Sequence, residues 1–195
     1  LFIVQSATGV ALQIAPTKDD FKQLDPRVHV YKRPDMYIGS DCPLPREEWL
    51  IDLEKGSMKR ETIDFVPGVE RLYLEIITNA SDNGGRSRRA GVDPGNIEVV
   101  MNNSTISVTN YGLEMPVELT TDLDGNQMYV PELTFGNLRS GSNFEGERHE
   151  AGMNGLGAKI VNIFSKQFMV VVHDARRQIK YTQVWAENMS IKGTP

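Results

Sequence analysis

Between Val69 and Asn83 the apolar residues Val69, Leu72, Tyr73, Ile76, Ile77 and Ala80 recur every three or four positions. That spacing places them on one face of an α-helix. It predicts a helix over about 69–83, entered through a Pro67-Gly68 turn and stopped by Gly84-Gly85, since glycine is the usual residue at a helix C-terminus. An amphipathic helix of this length has to lay its apolar face on something. The other apolar runs supply that surface as strands. Ile97–Met101 and Thr105–Val108 pair across Asn102-Asn103-Ser104, and Gln167–His173 pairs with Gln178–Trp185. Ala158–Ser165 is a second helical pattern. Helices and hairpins mix without regular βαβ alternation. The expected fold is α+β, a two-layer sandwich of a mixed, mainly antiparallel sheet with helices on one face.

The remaining segments set the domain plan. Residues 1–30 read as an irregular arm interrupted by Pro16 and Pro26, and residues 31–195 as one domain. Residues 31–45 are turn-rich, and Trp49–Arg60 is a mixed stretch that suits a strand and hairpin. Residues 111–157 are rich in Gly, Asn, Ser and acidic residues and read as a long lid or binding loop. A length of 195 residues suits a single core. No apolar run approaches the roughly 20 residues of a membrane helix. Leu1-Phe2-Ile3-Val4-Gln5 has no basic region ahead of it and makes a poor signal peptide. The absence of an initiator Met predicts a trimmed or partial chain.

Charge and cysteine content narrow the chemistry. The one cysteine, Cys42, excludes a disulfide framework or a cysteine zinc site within this segment and predicts an intracellular, reducing compartment. His29, His149 and His173 are too scattered in sequence to suggest a metal site. The net charge is −5. A domain that gripped DNA by itself would more often be basic, so contact with double-stranded DNA is expected in other parts of a larger protein.

Two motifs carry chemistry. Glu75, Asn79 and Asn83 are spaced four apart, nearly on one helical stripe. Such a stripe is most often a solvated surface. Two asparagines within two turns of a glutamate suit a catalytic face better, because Asn is only a fair helix former. The carboxylate can act as general base on water, and an amide oxygen is a hard ligand for Mg²⁺. The second motif is Gly152-Met153-Asn154-Gly155-Leu156-Gly157-Ala158-Lys159. Its glycines let backbone N–H groups approach a phosphate, at a helix N-terminus that favours anions. Lys159 adds a full charge. It lacks the Gly-Lys-Ser/Thr ending of a P-loop and the strand context of a dinucleotide-binding turn.

The order of these motifs resembles the GHKL (Bergerat) ATPase fold, specifically the N-terminal ATPase domain of type IIA DNA topoisomerases of the eukaryotic and viral type. Lys32-Arg33-Pro34-Asp35-Met36-Tyr37-Ile38-Gly39-Ser40, Phe65-Val66-Pro67-Gly68, Met128-Tyr129-Val130-Pro131-Glu132-Leu133, Phe135-Gly136, Ser142-Asn143 and Asn162-Ile163-Phe164-Ser165 carry the likeness together with the two motifs. The likeness covers about residues 21–185. The Arg33–Ser40 and Tyr129–Pro131 segments are not expected in the other GHKL families. The resemblance implies ATP and Mg²⁺ as cofactors. It implies Glu75 as general base, Asn79 as the Mg²⁺ ligand, and Asn83 on the phosphates or ribose. Ser142 and Asn143 would meet the ribose and phosphates, and Asn154, Gly155, Leu156, Gly157 and Lys159 the triphosphate. It further implies a homodimeric gate in which ATP drives two such domains together behind a captured DNA segment, in the nucleus or, for a viral enzyme, in a viral factory or virion. The family's transducer and DNA-cleavage domains are absent from this chain.

Three departures stand out against that family. Its adenine motif reads here as Tyr111-Gly112-Leu113-Glu114, with Tyr111 in place of an amide or carboxylate and Glu114 in place of glycine. The arm's nucleotide-contacting tyrosine reads as Phe21, which keeps stacking but loses the hydroxyl. Met153 stands where many relatives carry arginine. The changes at Tyr111 and Glu114 support an alternative expectation, a nucleotide-binding or dimerising module with degraded ATPase activity.

Overall fold

The computed structural model describes Lys18 and residues 23–138, 140 and 156–195. The first helix, α1 (Pro26–Lys32), starts inside the segment expected to be irregular. Its cause is local. The Asp25 carboxylate accepts from the N–H groups of Arg27 (3.0 Å) and Val28 (3.2 Å), and Pro26 at the first turn has no N–H to satisfy. Pro26 thus opens a helix where it was read as an interruption. A 3-10 turn at Pro34–Met36 follows, and then β1 (Leu44–Asp52) and β2 (Ser57–Phe65) form an antiparallel hairpin longer than the one expected.

The central helix, α2 (Pro67–Arg89), has 23 residues. Gly68 lets its first turn lie against residues 38–40. Its N–H donates to the Ser40 carbonyl at 2.9 Å, and a Cβ there would stand 2.9 Å from Ile38 Cδ1. The helix runs straight through Gly84-Gly85, which were expected to stop it. Glycine inside a helix costs about 1 kcal/mol against alanine, but Gly84 is buried against Pro94, and tertiary packing outweighs the local preference. The stop comes at Gly91, whose φ of +75° suits glycine. There the N–H groups of Ala90 and Val92 return to the carbonyls of Arg86 (3.0 Å) and Ser87 (2.9 Å).

Hairpin β3 (Ile97–Met101) and β4 (Ile106–Asn110) follows as expected. The stretch read as one long loop then folds in part. It contains the short hairpin β5 (Leu119–Thr121) and β6 (Gln127–Tyr129), and helix α3 (Val130–Gly136). The Asp122 carboxylate closes the hairpin by accepting from the N–H groups of Asp124 (3.0 Å) and Asn126 (2.8 Å). Helix α4 (Gly157–Phe164) and strands β7 (Gln167–Asp174), β8 (Ile179–Ala186) and β9 (Ile191–Lys192) complete the described chain.

Every strand pairing among the described residues is antiparallel, in three hairpins and one three-stranded unit ordered β7-β8-β9. Helix α2 lies on β3–β4, α4 on β7, and the two helices on each other, with α1 and α3 against α4. This is the expected α+β arrangement of helices over antiparallel strands. Val30, Ile38, Ile160 and Ile163 form the core at the junction of α1 and α4, with Leu72 of α2 packed against them. Trp185 is buried under α3, where Gly136 makes room for its ring; a Cβ at Gly136 would lie 3.0 Å from Trp185 Cζ2.

Candidate functional site

The apolar face of α2 packs inward and leaves its polar stripe beside α4. Glu75 is drawn into that junction. Its side chain is 17% exposed and pairs with Arg71, one turn earlier, at 2.5 Å. A Cβ on Gly157, the first residue of α4, would run into the Glu75 carboxylate oxygen Oε2. The carboxylate therefore lies directly against the end of the glycine loop. The two motifs, 82 positions apart in sequence, meet at one place.

Lys159 sits two residues further along α4 and is 2% exposed. Its ammonium Nζ donates to the Ser140 carbonyl. Burial lowers its pKa from 10.5 to about 8. A charge held this deep gains strongly from an anion placed next to it. Leu156 is the N-cap residue of α4. Its carbonyl accepts from the Ile160 N–H at 2.8 Å and its side chain packs on the core, so only its main chain remains for the loop's function.

Asn79 is half-buried between Glu75 and Asn83. Among the described residues no group of three or more His, Cys, Asp or Glu could hold a metal. A divalent cation here fits only with one oxygen from Asn79 and most of its ligands from phosphate and water, the usual habit of Mg²⁺. Asn83 is committed to architecture as well. Its Nδ2 donates to the Leu113 carbonyl at 3.3 Å, tying α2 to the turn after β4.

Arg86, not singled out from the sequence, joins the stripe. Arg86 lies eleven residues beyond Glu75, which is three helical turns and returns it within about 20° of the same line. The expected stop at Gly84-Gly85 hid it. Asn110 ends β4, where Ile106 and Val108 form the partly buried row facing α2. Period-two alternation puts Asn110, itself exposed, in line with that row. Phe21, Ser142, Asn143, Met153, Asn154 and Gly155 lie outside the described residues.

No family model matches the chain. Curated relatives do. It is 37% identical to DNA topoisomerase 2 of Candida albicans over 193 residues, 98% of this chain and 13% of that protein. It is 34% identical to DNA topoisomerase 2 of Saccharomyces cerevisiae over 179 residues, 91% of this chain and 12% of that protein. The chain belongs to the type II DNA topoisomerase family. Solved structures place it within that family's ATPase region. It superposes on the crystal structure of the ATPase region of Saccharomyces cerevisiae topoisomerase II with a TM-score of 0.82 at 34% identity, covering 92% of this chain and 47% of that one. The ATPase and transducer domains of topoisomerase II from Balamuthia mandrillaris match with a TM-score of 0.81 at 34% identity, over 92% of this chain and 45% of that one. The fold is the GHKL ATPase fold. The chain spans 12% to 13% of the length of these curated relatives and just under half of the solved regions.

In this chain Tyr111 and Glu114 have structural partners. Tyr111 does not face α2. It is half-exposed, and its hydroxyl donates to Glu98 Oε1 on β3 at 3.2 Å. Glu98 pairs across the hairpin with Thr109, so Tyr111 continues the outer row opposite Asn110. Glu114 turns toward the β7–β8 connection, where its carboxylate accepts from the Arg176 N–H at 3.4 Å and lies 3.9 Å from Arg176 Nε.

Proposed function

We propose that this chain is the ATP-binding and hydrolysing gate domain of a type IIA DNA topoisomerase. The observation that carries the reading is the contact of Glu75 with Gly157, which sets a carboxylate at the mouth of a phosphate-binding loop. Glu75 accepts a proton from water as the water oxygen bonds to the terminal phosphorus. The bond from that phosphorus to its bridging oxygen breaks, and the electron pair leaves with the nucleoside diphosphate. Arg71, paired with Glu75 at 2.5 Å, holds its carboxylate in place. The amides opening α4 and the Lys159 ammonium neutralise the phosphates. Asn79 would hold Mg²⁺ through its amide oxygen, and the ion when bound would supply positive charge to the phosphates. The Asn110 amide, on the α2-facing row, suits hydrogen bonding to the base.

The partners belong to the same proposal. ATP would bring two copies of this domain together as a homodimeric gate, with double-stranded DNA held by other domains of the full protein. The expected location is nuclear, or a viral factory for a viral enzyme. The alternative of a degraded module drew on Tyr111 and Glu114. Tyr111 faces away from α2 and Glu114 is engaged with Arg176, so neither favours it.

Glu75→Ala tests the reading. Binding of a non-hydrolysable ATP analogue with Mg²⁺, measured by calorimetry, is expected to persist, while turnover falls by about 10²-fold or more. Unchanged turnover would remove Glu75 from the base role. Absence of analogue binding by the unsubstituted protein would favour the degraded module.

A further inference from the structure

The four-residue series of Glu75, Asn79 and Asn83 continues to Ser87, and this last member is fully buried. Its hydroxyl works in both directions. It donates to the Asn83 carbonyl one turn back, at 2.7 Å, and accepts from the Leu113 N–H at 2.8 Å. A serine within a helix commonly bonds the carbonyl four residues back, and the oxygen then still has a lone pair for a second partner. Here that partner belongs to the turn after β4. The carbonyl of the same Leu113 accepts from Asn83 Nδ2 at 3.3 Å. Both main-chain polar groups of Leu113 are thus held by α2, from positions one turn apart.

Gly112 makes this docking close. Its φ is +112°, and a Cβ on it would lie 3.0 Å from Ser87 Cβ, nearer still to the hydroxyl, and 3.2 Å from Pro94 Cα. The turn is pressed flat on Ser87. Asn110 stands immediately before this turn, and Asn79 and Glu75 stand on the helix beneath it. The separation between the end of β4 and the polar stripe of α2 is therefore set through the Ser87 hydroxyl together with the Asn83 amide.

We propose that Ser87 is a positioning residue that fixes the base-recognising end of the nucleotide site against its phosphate-binding end. This rests on the nucleotide reading given above. Removing the hydroxyl leaves the partly buried Leu113 N–H without its partner. The turn then relaxes away from α2 and carries Asn110 with it, while Gly157 and Lys159, on α4, keep their places.

The test compares two ligands on the full chain by calorimetry with Mg²⁺, a non-hydrolysable ATP analogue and inorganic tripolyphosphate. Tripolyphosphate shares the phosphates and lacks the base. Ser87→Ala is expected to weaken the ATP analogue by about tenfold, the scale of one partly buried donor left unpaired, and to leave tripolyphosphate unchanged. Equal weakening of both ligands, or loss of a cooperative thermal melt, makes Ser87 a folding residue and overturns the proposal. Unchanged affinity for the ATP analogue also overturns it. Failure of the unsubstituted protein to bind the ATP analogue at all overturns the nucleotide reading itself, a distinct result.

Discussion

A lysine ammonium at 2% exposure is costly to keep charged, and Lys159 turns that cost into a pH signature. Its folded pKa is about 8, against an ordinary 10.5. Below pH 8 both folded and unfolded chains carry the proton, so this group adds no pH dependence. Between about 8 and 10.5 the folded chain has released its proton and the unfolded chain still holds it. Stability rises with pH across that window, by up to about 3 kcal/mol for this group. Denaturant midpoints of the unsubstituted protein should therefore climb relative to Lys159→Met between pH 8 and 10.5; parallel curves would refute the depressed pKa. Phosphates beside the amine favour its charged form. At pH 9, ATP binding should take up a proton, seen as a binding heat that varies with buffer ionisation enthalpy and no longer does so in Lys159→Met. The sequence pointed to this lysine as a phosphate ligand. Its burial came from the packing of α4 on α1, α2 and α3, which no local pattern encodes.

At the level of elements, the site is the crossing of α2 and α4, and it depends on a missing side chain. Gly157→Ala would place a methyl against the Glu75 carboxylate. The expected result is a stability loss of about 1–3 kcal/mol from overpacking and a fall in ATP turnover as Glu75 is displaced. Chemical melts and steady-state turnover measure both, and an unaffected turnover would show that Glu75 does not need this contact. The helix itself was legible from Val69 to Asn83, because three- and four-residue spacing is a local property. Its last six residues were not. Gly84-Gly85 carry a stop signal that packing overrides, and Arg86 and Ser87 fell beyond the assumed end. The same limit hid α1, where a capping Asp25 and a first-turn Pro26 read as an interruption until the helix was seen.

Over the whole molecule, the turn region after β4 is clamped to the distant β7–β8 connection. Asp174, 1% exposed, accepts from the Val117 N–H at 3.1 Å, the Arg177 N–H at 3.0 Å and Arg177 Nη1 at 3.0 Å. Arg177 reaches on to Glu118, and Arg176 to Glu114. This clamp joins parts of the chain 57 residues apart. Asp174→Ala leaves the buried Val117 N–H without its acceptor and should cost about 1–3 kcal/mol in a denaturant melt. An unchanged midpoint would show the clamp to be incidental. The position of Glu114 within it explains why a large acidic residue stands in a glycine-rich motif. It is oriented toward the hairpin, away from the α2 face.

The sequence by itself determined the fold class, the family resemblance, and the stripe of Glu75, Asn79 and Asn83. The fold class and the stripe follow from spacing along the chain, because helical and strand periodicity are short-range properties, and the resemblance rests on the motif residues and their order. Only the tertiary structure brought Glu75 to Gly157, buried Lys159, turned Tyr111 outward in favour of Asn110, and carried α2 through two glycines to Ser87. Those outcomes depend on which distant surface covers each element. That choice is made by the burial of the whole apolar surface at once, and no single segment records it.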